Sequence, residues 1–299
     1  MDLDTTVRKI KSLQIQGASN ISRAALLAFS SFAASNKKKS EKDYFKALEK
    51  AKHKLFLSRT TEPGMRNYLN YFEYLLKKKE GVKEMKESAP VIAKKVLAEW
   101  KSAKDQLARI GLRVIPKNAL IFTHCHSTSV TGIIRAARGK RVTVHNTETR
   151  PLFQGRLTAM ELAKAKIPVK MFVDSAARLA LKKADVMLIG ADSITSTAVY
   201  NKIGSELIAE VANKYDIPVY VCSTSWKFNP DTLMGFVEEV EQRSSKEVWE
   251  KPPKGVKIEN PAFEKVSPEM VTAIISELGV LKHEAFIEEA KKKHNWMLS

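Results

Sequence analysis

The sequence predicts an α/β protein in two parts, an N-terminal helical domain over residues 1–111 and a parallel sheet with helices on both faces over residues 112–299. In the first part, apolar residues recur at the spacing of a helix. From about residue 117, short apolar runs alternate with helical segments, which is typical of βαβ units. A chain of 299 residues is long enough for one or two domains with a substantial core.

The helices of the first part have sequence signals at their ends. Ser40, three residues before an aspartate, predicts a helix start because its hydroxyl can accept a backbone hydrogen bond. Pro63-Gly64 predicts a turn between helices. Gly81 and Gly111 predict helix ends. The first part is therefore expected to be helical up to residue 111.

The second part is expected to alternate strands and helices. The predicted strands are residues 119–122, 142–144, 169–173, 186–189 and 219–221. The predicted helices between them are residues 130–137, 157–164, 176–182 and 207–212. Residues 224–262 are expected to form loops, residues 268–277 a last helix, and the remainder a charged tail.

Charge and composition limit the class of protein. The net charge of +18 is compatible with nucleic-acid binding, but aromatic residues do not interleave with the lysine runs at 37–39 and 77–79. Lysines near helix ends also complement the helix dipole, so we favour a solvated surface of the thermophilic type. No apolar run approaches the ~20 residues of a membrane span. Two cysteines and no signal-peptide pattern predict a cytoplasmic protein.

Cys125 lies where the first predicted strand ends and a helix begins. Ligands bind at this edge of an open parallel sheet because strand C-termini and helix N-termini face one crevice. A helix N-terminus lowers the pKa of a thiol, and His124 or His126 could activate it, so we favour a base or nucleophile over a packing residue. Cys222 is interpreted as packing. No metal is predicted, because strand alternation separates the histidines from the cysteine.

Asp192 follows the fourth predicted strand at the same edge. A carboxylate at the mouth of an apolar pocket can have a raised pKa, which suits general-acid catalysis, whereas the alternative role is a helix N-cap. Asn201, Lys202 and Lys227 add an amide and two cations after the strands, although either lysine alone would be interpreted as a surface residue. Together the strand ends predict a site for a small polyhydroxylated anion.

The motifs at these strand ends resemble one known family. It unites archaeal ribose-1,5-bisphosphate isomerases, methylthioribose-1-phosphate isomerases and the α, β and δ regulatory subunits of translation initiation factor 2B. The resemblance begins at Ile15 and covers most of the chain. The motifs are Thr-His-Cys-His-Ser at 123–127, Glu-Thr-Arg-Pro at 148–151, Asp-Ser-Ala-Ala-Arg at 174–178, Gly-Ala-Asp-Ser-Ile at 190–194, Asn-Lys-Ile-Gly at 201–204 and Trp-Lys-Phe at 226–228.

The resemblance implies a Rossmann-like second domain and homo-oligomers built from dimers, a hexamer being one such assembly. The isomerases carry the cysteine and aspartate that stand here at 125 and 192, whereas the initiation-factor subunits usually lack them. The resemblance therefore favours a cofactor-independent isomerase that converts ribose 1,5-bisphosphate to ribulose 1,5-bisphosphate in AMP salvage, with Cys125 and Asp192 catalytic. The residues implied to line the substrate site are Gly17, Ala18, Ser19, Arg59, Ser127, Thr128, Ser129, Asn201, Lys202 and Lys227.

Two alternatives stay open: a methylthioribose-1-phosphate isomerase, and a non-catalytic regulatory subunit that binds nucleotide or sugar phosphate. Gln16 stands where the family's phosphate-binding loop has arginine, and an amide cannot replace a guanidinium at a phosphate. Arg23, Arg59 or Lys227 would then have to supply that charge. The turn at residues 195–198 also lacks the family's glycine, so we expect a different turn there.

Overall fold

A computed structural model describes residues 2–59 and 61–298. Among these described residues, those up to Val114 contain five helices. Ser40 accepts a hydrogen bond from the Asp43 amide, so the predicted helix start there is confirmed. The helices are α1 (Leu3–Lys11), α2 (Ala18–Ser35), α3 (Glu41–Phe56), α4 (Pro63–Leu76) and α5 (Gly81–Val114).

Two predicted helix ends and one predicted turn are wrong. Pro63 is the first residue of α4, where its missing amide costs nothing, so Pro63-Gly64 starts a helix instead of interrupting one. Gly81 begins α5, and Gly111 lies inside it. A Cβ on Gly111 would lie 2.4 Å from Ile133 Cδ1, so this glycine permits close packing and does not end the helix. The domain boundary predicted at 111/112 falls within α5 and stays a prediction.

The second part contains a seven-stranded sheet, and all five predicted strands are confirmed within it. Its strands are β1 (Leu120–Thr123), β2 (Thr143–Thr147), β3 (Val169–Phe172), β4 (Val186–Ile189), β7 (Val219–Cys222), β9 (Ala273–Ser276) and β10 (Gly279–Leu281). Their order is β10-β9-β7-β4-β1-β2-β3, and β10 alone is antiparallel to its neighbour among the described strands. The chain changes direction across the sheet at β1 and β4, which makes their carboxyl ends the expected ligand crevice.

Four predicted helices of this part are confirmed as α6 (Thr128–Ala136), α7 (Gln154–Lys164), α8 (Ala177–Leu181) and α9 (Ser205–Lys214). A small antiparallel sheet is formed by β5 (Ser193–Ile194), β6 (Val199–Lys202) and β8 (Phe263–Val266). The turn between β5 and β6 needs no glycine, because the Thr195 hydroxyl accepts from the Ala198 amide at 3.0 Å and donates to the Ala198 carbonyl.

The helix predicted over residues 268–277 is wrong. This segment contains strand β9, whose β-branched Ile274 and Ile275 are fully buried beside β7. A short apolar run does not by its periodicity distinguish a buried strand from a helix, and the sheet decides the outcome. The predicted charged tail instead forms helix α10 (His283–Lys293).

The two parts are joined through shared packing. The helices of the first part bury their own apolar core, and Trp226 from the second part belongs to it. The Trp226 ring meets the Tyr68 ring edge-on with centroids 5.2 Å apart, and the Asn67 side-chain amide donates to the Trp226 carbonyl. Lys227 is thereby held at the junction. Among the described residues, no helix combines the length and the apolar character that crossing a bilayer requires.

Candidate active site

A cavity of about 230 Å³ lies at the carboxyl ends of β1 and β4, between the two parts of the chain. All twelve site residues predicted from the sequence line this cavity. They come from both parts of the chain, so their positions in the sequence alone did not bring them together. Those residues are Gly17, Ala18, Ser19, Arg59, Cys125, Ser127, Thr128, Ser129, Asp192, Asn201, Lys202 and Lys227. Their roles in binding and catalysis remain predictions.

Cys125 occupies a turn between β1 and α6. Its backbone is left-handed, with φ of 68°, which a non-glycine residue adopts only when the surroundings impose it. Thr149 accepts a hydrogen bond from the Cys125 amide at 3.0 Å, and Thr158 donates to the Cys125 carbonyl at 2.9 Å. Two side-chain hydroxyls therefore fix the backbone that presents this thiol to the cavity.

The pKa of Cys125 differs from the expectation of a lowered value. The pKa of the thiol is raised to about 11, mainly because the sulfur is buried; the Lys202 ammonium opposes this rise, and Asp192 adds to it by a smaller amount. The helix N-terminus does not overcome the loss of hydration around the sulfur. In the ligand-free protein at neutral pH, Cys125 is therefore a thiol.

Of the two neighbouring histidines, His124 is already engaged by other groups, and activation of Cys125 by His126 stays a prediction. Both ring nitrogens of His124 are engaged, one with the Thr147 hydroxyl and the other with the Ile203 carbonyl at 2.9 Å. The His126 ring lines the cavity and contacts Thr158 at 3.1 Å. Burial lowers the pKa of both imidazoles. His124 is structural, and within the described ranges no group of three or more metal-binding side chains occurs.

Asp192 reaches the cavity from the loop after β4. Its amide donates to the Tyr200 carbonyl at 2.8 Å, and the next element is strand β5, so the alternative of a helix N-cap is wrong. Gly190 allows the approach of the two strand ends, because a Cβ there would lie 2.8 Å from the Ser127 side chain. Asp192 is the one carboxylate among the described residues that line the cavity.

Cationic side chains surround the cavity, and several are already engaged. Arg59 pairs with Glu241 at 3.2 Å. The Lys202 ammonium lies 5.0 Å from the centre of the Phe263 ring, and Lys227 donates to the Ala191 carbonyl. These contacts hold the cations at the wall of the cavity and define where an anion would meet them.

Two helix N-termini meet at the other side of the cavity. Helix α2 begins directly after Gly17, and α6 begins after Ser127, whose hydroxyl accepts from the Val130 amide. The hydroxyls of Ser19 and Thr128 lie 3.5 Å apart across this junction. Free amides and the partial positive charge of both helices favour an anion here.

Sequence reasoning missed residues that the first part contributes. Lys104 of α5 lines the cavity, and Glu62 lies buried beside Lys227 at the start of α4. Burial raises the pKa of Glu62 to about 8, so a neutral carboxyl leaves the charge of Lys227 uncancelled. Arg23, one of the expected substitutes for the absent arginine, is exposed and does not line the cavity. No local pattern marks such residues, since packing between helices decides their position.

Comparisons with known proteins identify a family and similar structures. A sequence profile described as the Initiation factor 2 subunit family matches residues 14–283. A ribose 1,5-bisphosphate isomerase of Pyrococcus furiosus is 35% identical, with 96% of this chain and 93% of that protein covered. A methylthioribose-1-phosphate isomerase of Heliobacterium modesticaldum is 35% identical, with 91% and 85% covered. The crystal structure of Pyrococcus horikoshii translation initiation factor eIF-2B superposes with a TM-score of 0.80 at 27% identity, covering 94% and 96%.

Proposed function

This chain belongs to the Initiation factor 2 subunit family, and we propose that it is an aldose–ketose isomerase that converts ribose 1,5-bisphosphate to ribulose 1,5-bisphosphate. The observation that carries the proposal is that Cys125 and Asp192 share one cavity whose other charged lining groups are cations. A thiol and a carboxyl supply the two proton-transfer groups that isomerisation needs. Cations and helix N-termini suit a substrate with two phosphates.

The reaction moves a hydrogen from C2 to C1 of the sugar while the ring opens. As the bond between C1 and the ring oxygen breaks, Asp192 donates its proton to that oxygen. Cys125, as thiolate, takes the C2 proton, which leaves an enol between C1 and C2. Cys125 then returns the proton to C1, and Asp192 accepts the proton of the C2 hydroxyl as the ketone forms. Both residues regain their starting protonation states, so the balance requires no cofactor.

The raised pKa of Cys125 has a consequence for this step. The thiolate is a minor form at neutral pH, but a base of high pKa removes a weakly acidic C–H proton more readily. Lys202 favours the thiolate and is the group that compensates its charge. In this site the Cys125 thiolate is therefore a small fraction of the protein at neutral pH, but it is a strong base and lies near a cation.

Methylthioribose 1-phosphate is the second candidate substrate. Leu152 and Leu157 line the cavity and would suit a methylthio group. The cations Arg59 before α4, Lys202 at the end of β6 and Lys227 after β7 favour a second phosphate instead. A regulatory subunit without catalysis is the remaining alternative, and the retained Cys125 and Asp192 oppose it.

The proposal is tested by incubating the purified protein with each sugar phosphate and measuring the ketose formed. We expect turnover with ribose 1,5-bisphosphate and a much smaller kcat/KM with methylthioribose 1-phosphate. The reverse preference would assign the second substrate. Binding of ribose 1,5-bisphosphate without ketose formation would favour the regulatory alternative.

We further propose that the chain forms a homo-oligomer built from dimers, in the cytoplasm. Apolar side chains are exposed in residues 234–249, including Phe236 at 68% and Trp249 at 50% exposure. Several exposed apolar side chains within one short segment are typical of an interface, so a second copy is expected to cover them. Both cysteines are free, which suits a reducing compartment. Light scattering of the purified protein is expected to give at least twice the mass of one chain.

A further inference from the structure

Lys104 reaches the cavity from helix α5 of the first part. Its ammonium donates to the Thr128 hydroxyl at 2.7 Å and lies 4.9 Å from the centre of the Trp100 ring. Both of these partners are neutral. By contrast, Arg59 and Arg243, which line the same cavity, each pair with a glutamate carboxylate. Lys104 therefore holds a positive charge in the cavity that these contacts do not cancel.

The surroundings of Lys104 disfavour that charge while the cavity holds no anion. Burial, with a smaller contribution from the Lys227 ammonium, lowers the pKa of Lys104 to about 8. A phosphate beside the ammonium would reverse this effect, because an opposite charge favours the charged form. The unfavourable environment is thus one that an anionic ligand would relieve.

The position of Lys104 coincides with the anion-favouring junction of the two helices. Its partner Thr128 is the first residue of α6, and the Thr128 hydroxyl lies 3.5 Å from that of Ser19 near the start of α2. Gln16, just before Gly17, lines the same side and provides no charge. The free amides of two helices, two hydroxyls and one ammonium make a complete set of donors for a phosphate group.

We propose that Lys104 binds the substrate phosphate that lies at the starts of α2 and α6, and that it supplies there the positive charge that Gln16 does not. This inference rests on the proposed function in that the cavity takes a sugar phosphate. It assigns the charge at this phosphate to α5, a helix of the first part. The two parts of the chain then hold one ligand between them.

The first test compares Lys104→Ala with wild type in the isomerase assay. Losing a charged hydrogen bond to a phosphate should raise KM about 10- to 100-fold, while kcat changes less, because a phosphate that takes no part in the proton transfers is bound alike in ground and transition states. Lys104→Arg keeps the charge and should stay near the wild-type KM. Lys101→Ala is the matched control, since Lys101 lies on the same helix, is exposed and does not line the cavity. An unchanged KM for Lys104→Ala would overturn the proposal.

The second test uses pH to separate a binding role from a structural one. Wild-type affinity for ribulose 1,5-bisphosphate should fall as the pH rises through about 8, because Lys104 loses its proton in the free protein. Lys104→Arg should show a smaller fall, and the part that remains is expected from Glu62, which lies beside Lys227 and has a pKa of about 8 in both proteins. The other charged groups that act on Lys104 are Lys227, Glu161, Arg135, Asp105 and His126, and all remain in both proteins. The same fall in both proteins would contradict the assignment.

A third measurement keeps this proposal separate from the proposed function. Binding of inorganic phosphate to wild type and Lys104→Ala is measured by calorimetry without any turnover. Weaker phosphate binding by Lys104→Ala supports the role of Lys104 even if neither sugar phosphate is isomerised. Equal binding by the two proteins, or none by wild type, overturns it whatever the enzyme activity.

Discussion

The two parts of the chain contribute different chemistry to one cavity. The sheet part supplies the proton-transfer pair, Cys125 and Asp192, from the ends of two adjacent strands. The helical part supplies Lys104, Arg59 and the start of α2, which are suited to holding charge. Strand ends fix side chains relative to one another, whereas helices packed on the sheet can bring distant charges to the same ligand. The difference predicts that changes in the proton-transfer pair of the sheet part affect rate, whereas changes in the helical part affect binding.

The largest effect is expected from Cys125→Ser. A serine hydroxyl is a far weaker base than a thiolate, so kcat should fall by about 10³-fold or more while the fold persists. The change is isosteric enough to leave the turn held by Thr149 and Thr158 in place. Steady-state kinetics with ribose 1,5-bisphosphate measure the loss.

Cys222→Ser provides the control for that variant. Cys222 is fully buried in β7 and does not line the cavity, so its replacement should lower stability without lowering kcat of the folded protein. If Cys125→Ser kept a near-wild-type kcat, Cys125 would not be the base and the division of labour between the two parts would fail.

Asp192→Asn should reduce kcat by roughly 10²-fold while substrate still binds, because the amide keeps the shape but cannot donate or accept the transferred proton. Turnover and the dissociation constant of the product are measured for the same preparation. Asp231→Asn, at an exposed position outside the cavity, should change neither. Loss of binding with a preserved kcat would assign Asp192 to holding the substrate, which would weaken the contrast between the parts.

The charge state of Glu62, in the helical part, is tested by the pH dependence of the free energy of unfolding. Its ordinary pKa is 4.5, and burial raises this to about 8 in the folded protein. Between pH 5 and 8 the unfolded chain releases a proton that the folded chain retains, so this group makes wild type less stable as pH rises. Glu62→Gln does not titrate, and its free energy of unfolding relative to wild type should increase across that window, on the order of 2–4 kcal/mol.

Urea denaturation at pH 5 and pH 8 measures this change, with circular dichroism as the signal. Glu49→Gln, an exposed change on α3, should show no such dependence. A difference between Glu62→Gln and wild type that stays constant with pH would mean that Glu62 is ionised in the fold. Lys227 would then be neutralised by Glu62 and less available to a phosphate.

The sequence predicted the sheet part better than the helical part for a physical reason. Five strands and the residues after them could be located because alternation and apolar runs are local, and parallel strands bring their ends to one edge. Lys104 and Glu62 were not identified from the sequence, because their burial depends on how α4 and α5 pack on the sheet. The close packing of Gly111 against Ile133 shows the same limit, since a glycine needed for packing has the sequence appearance of a helix end.

The smallest effect is expected from Gln16→Arg. If Lys104 already supplies the charge at the starts of α2 and α6, an added arginine should tighten product binding by no more than about 10-fold and leave kcat almost unchanged. In the Lys104→Ala background the same arginine should tighten binding more strongly, because it then meets an uncompensated phosphate. Dissociation constants and kcat for the four proteins measure this coupling. A large gain in kcat from Gln16→Arg alone would show instead that charge from the helical part limits the chemical step, and the separation of binding from catalysis between the two parts would not hold.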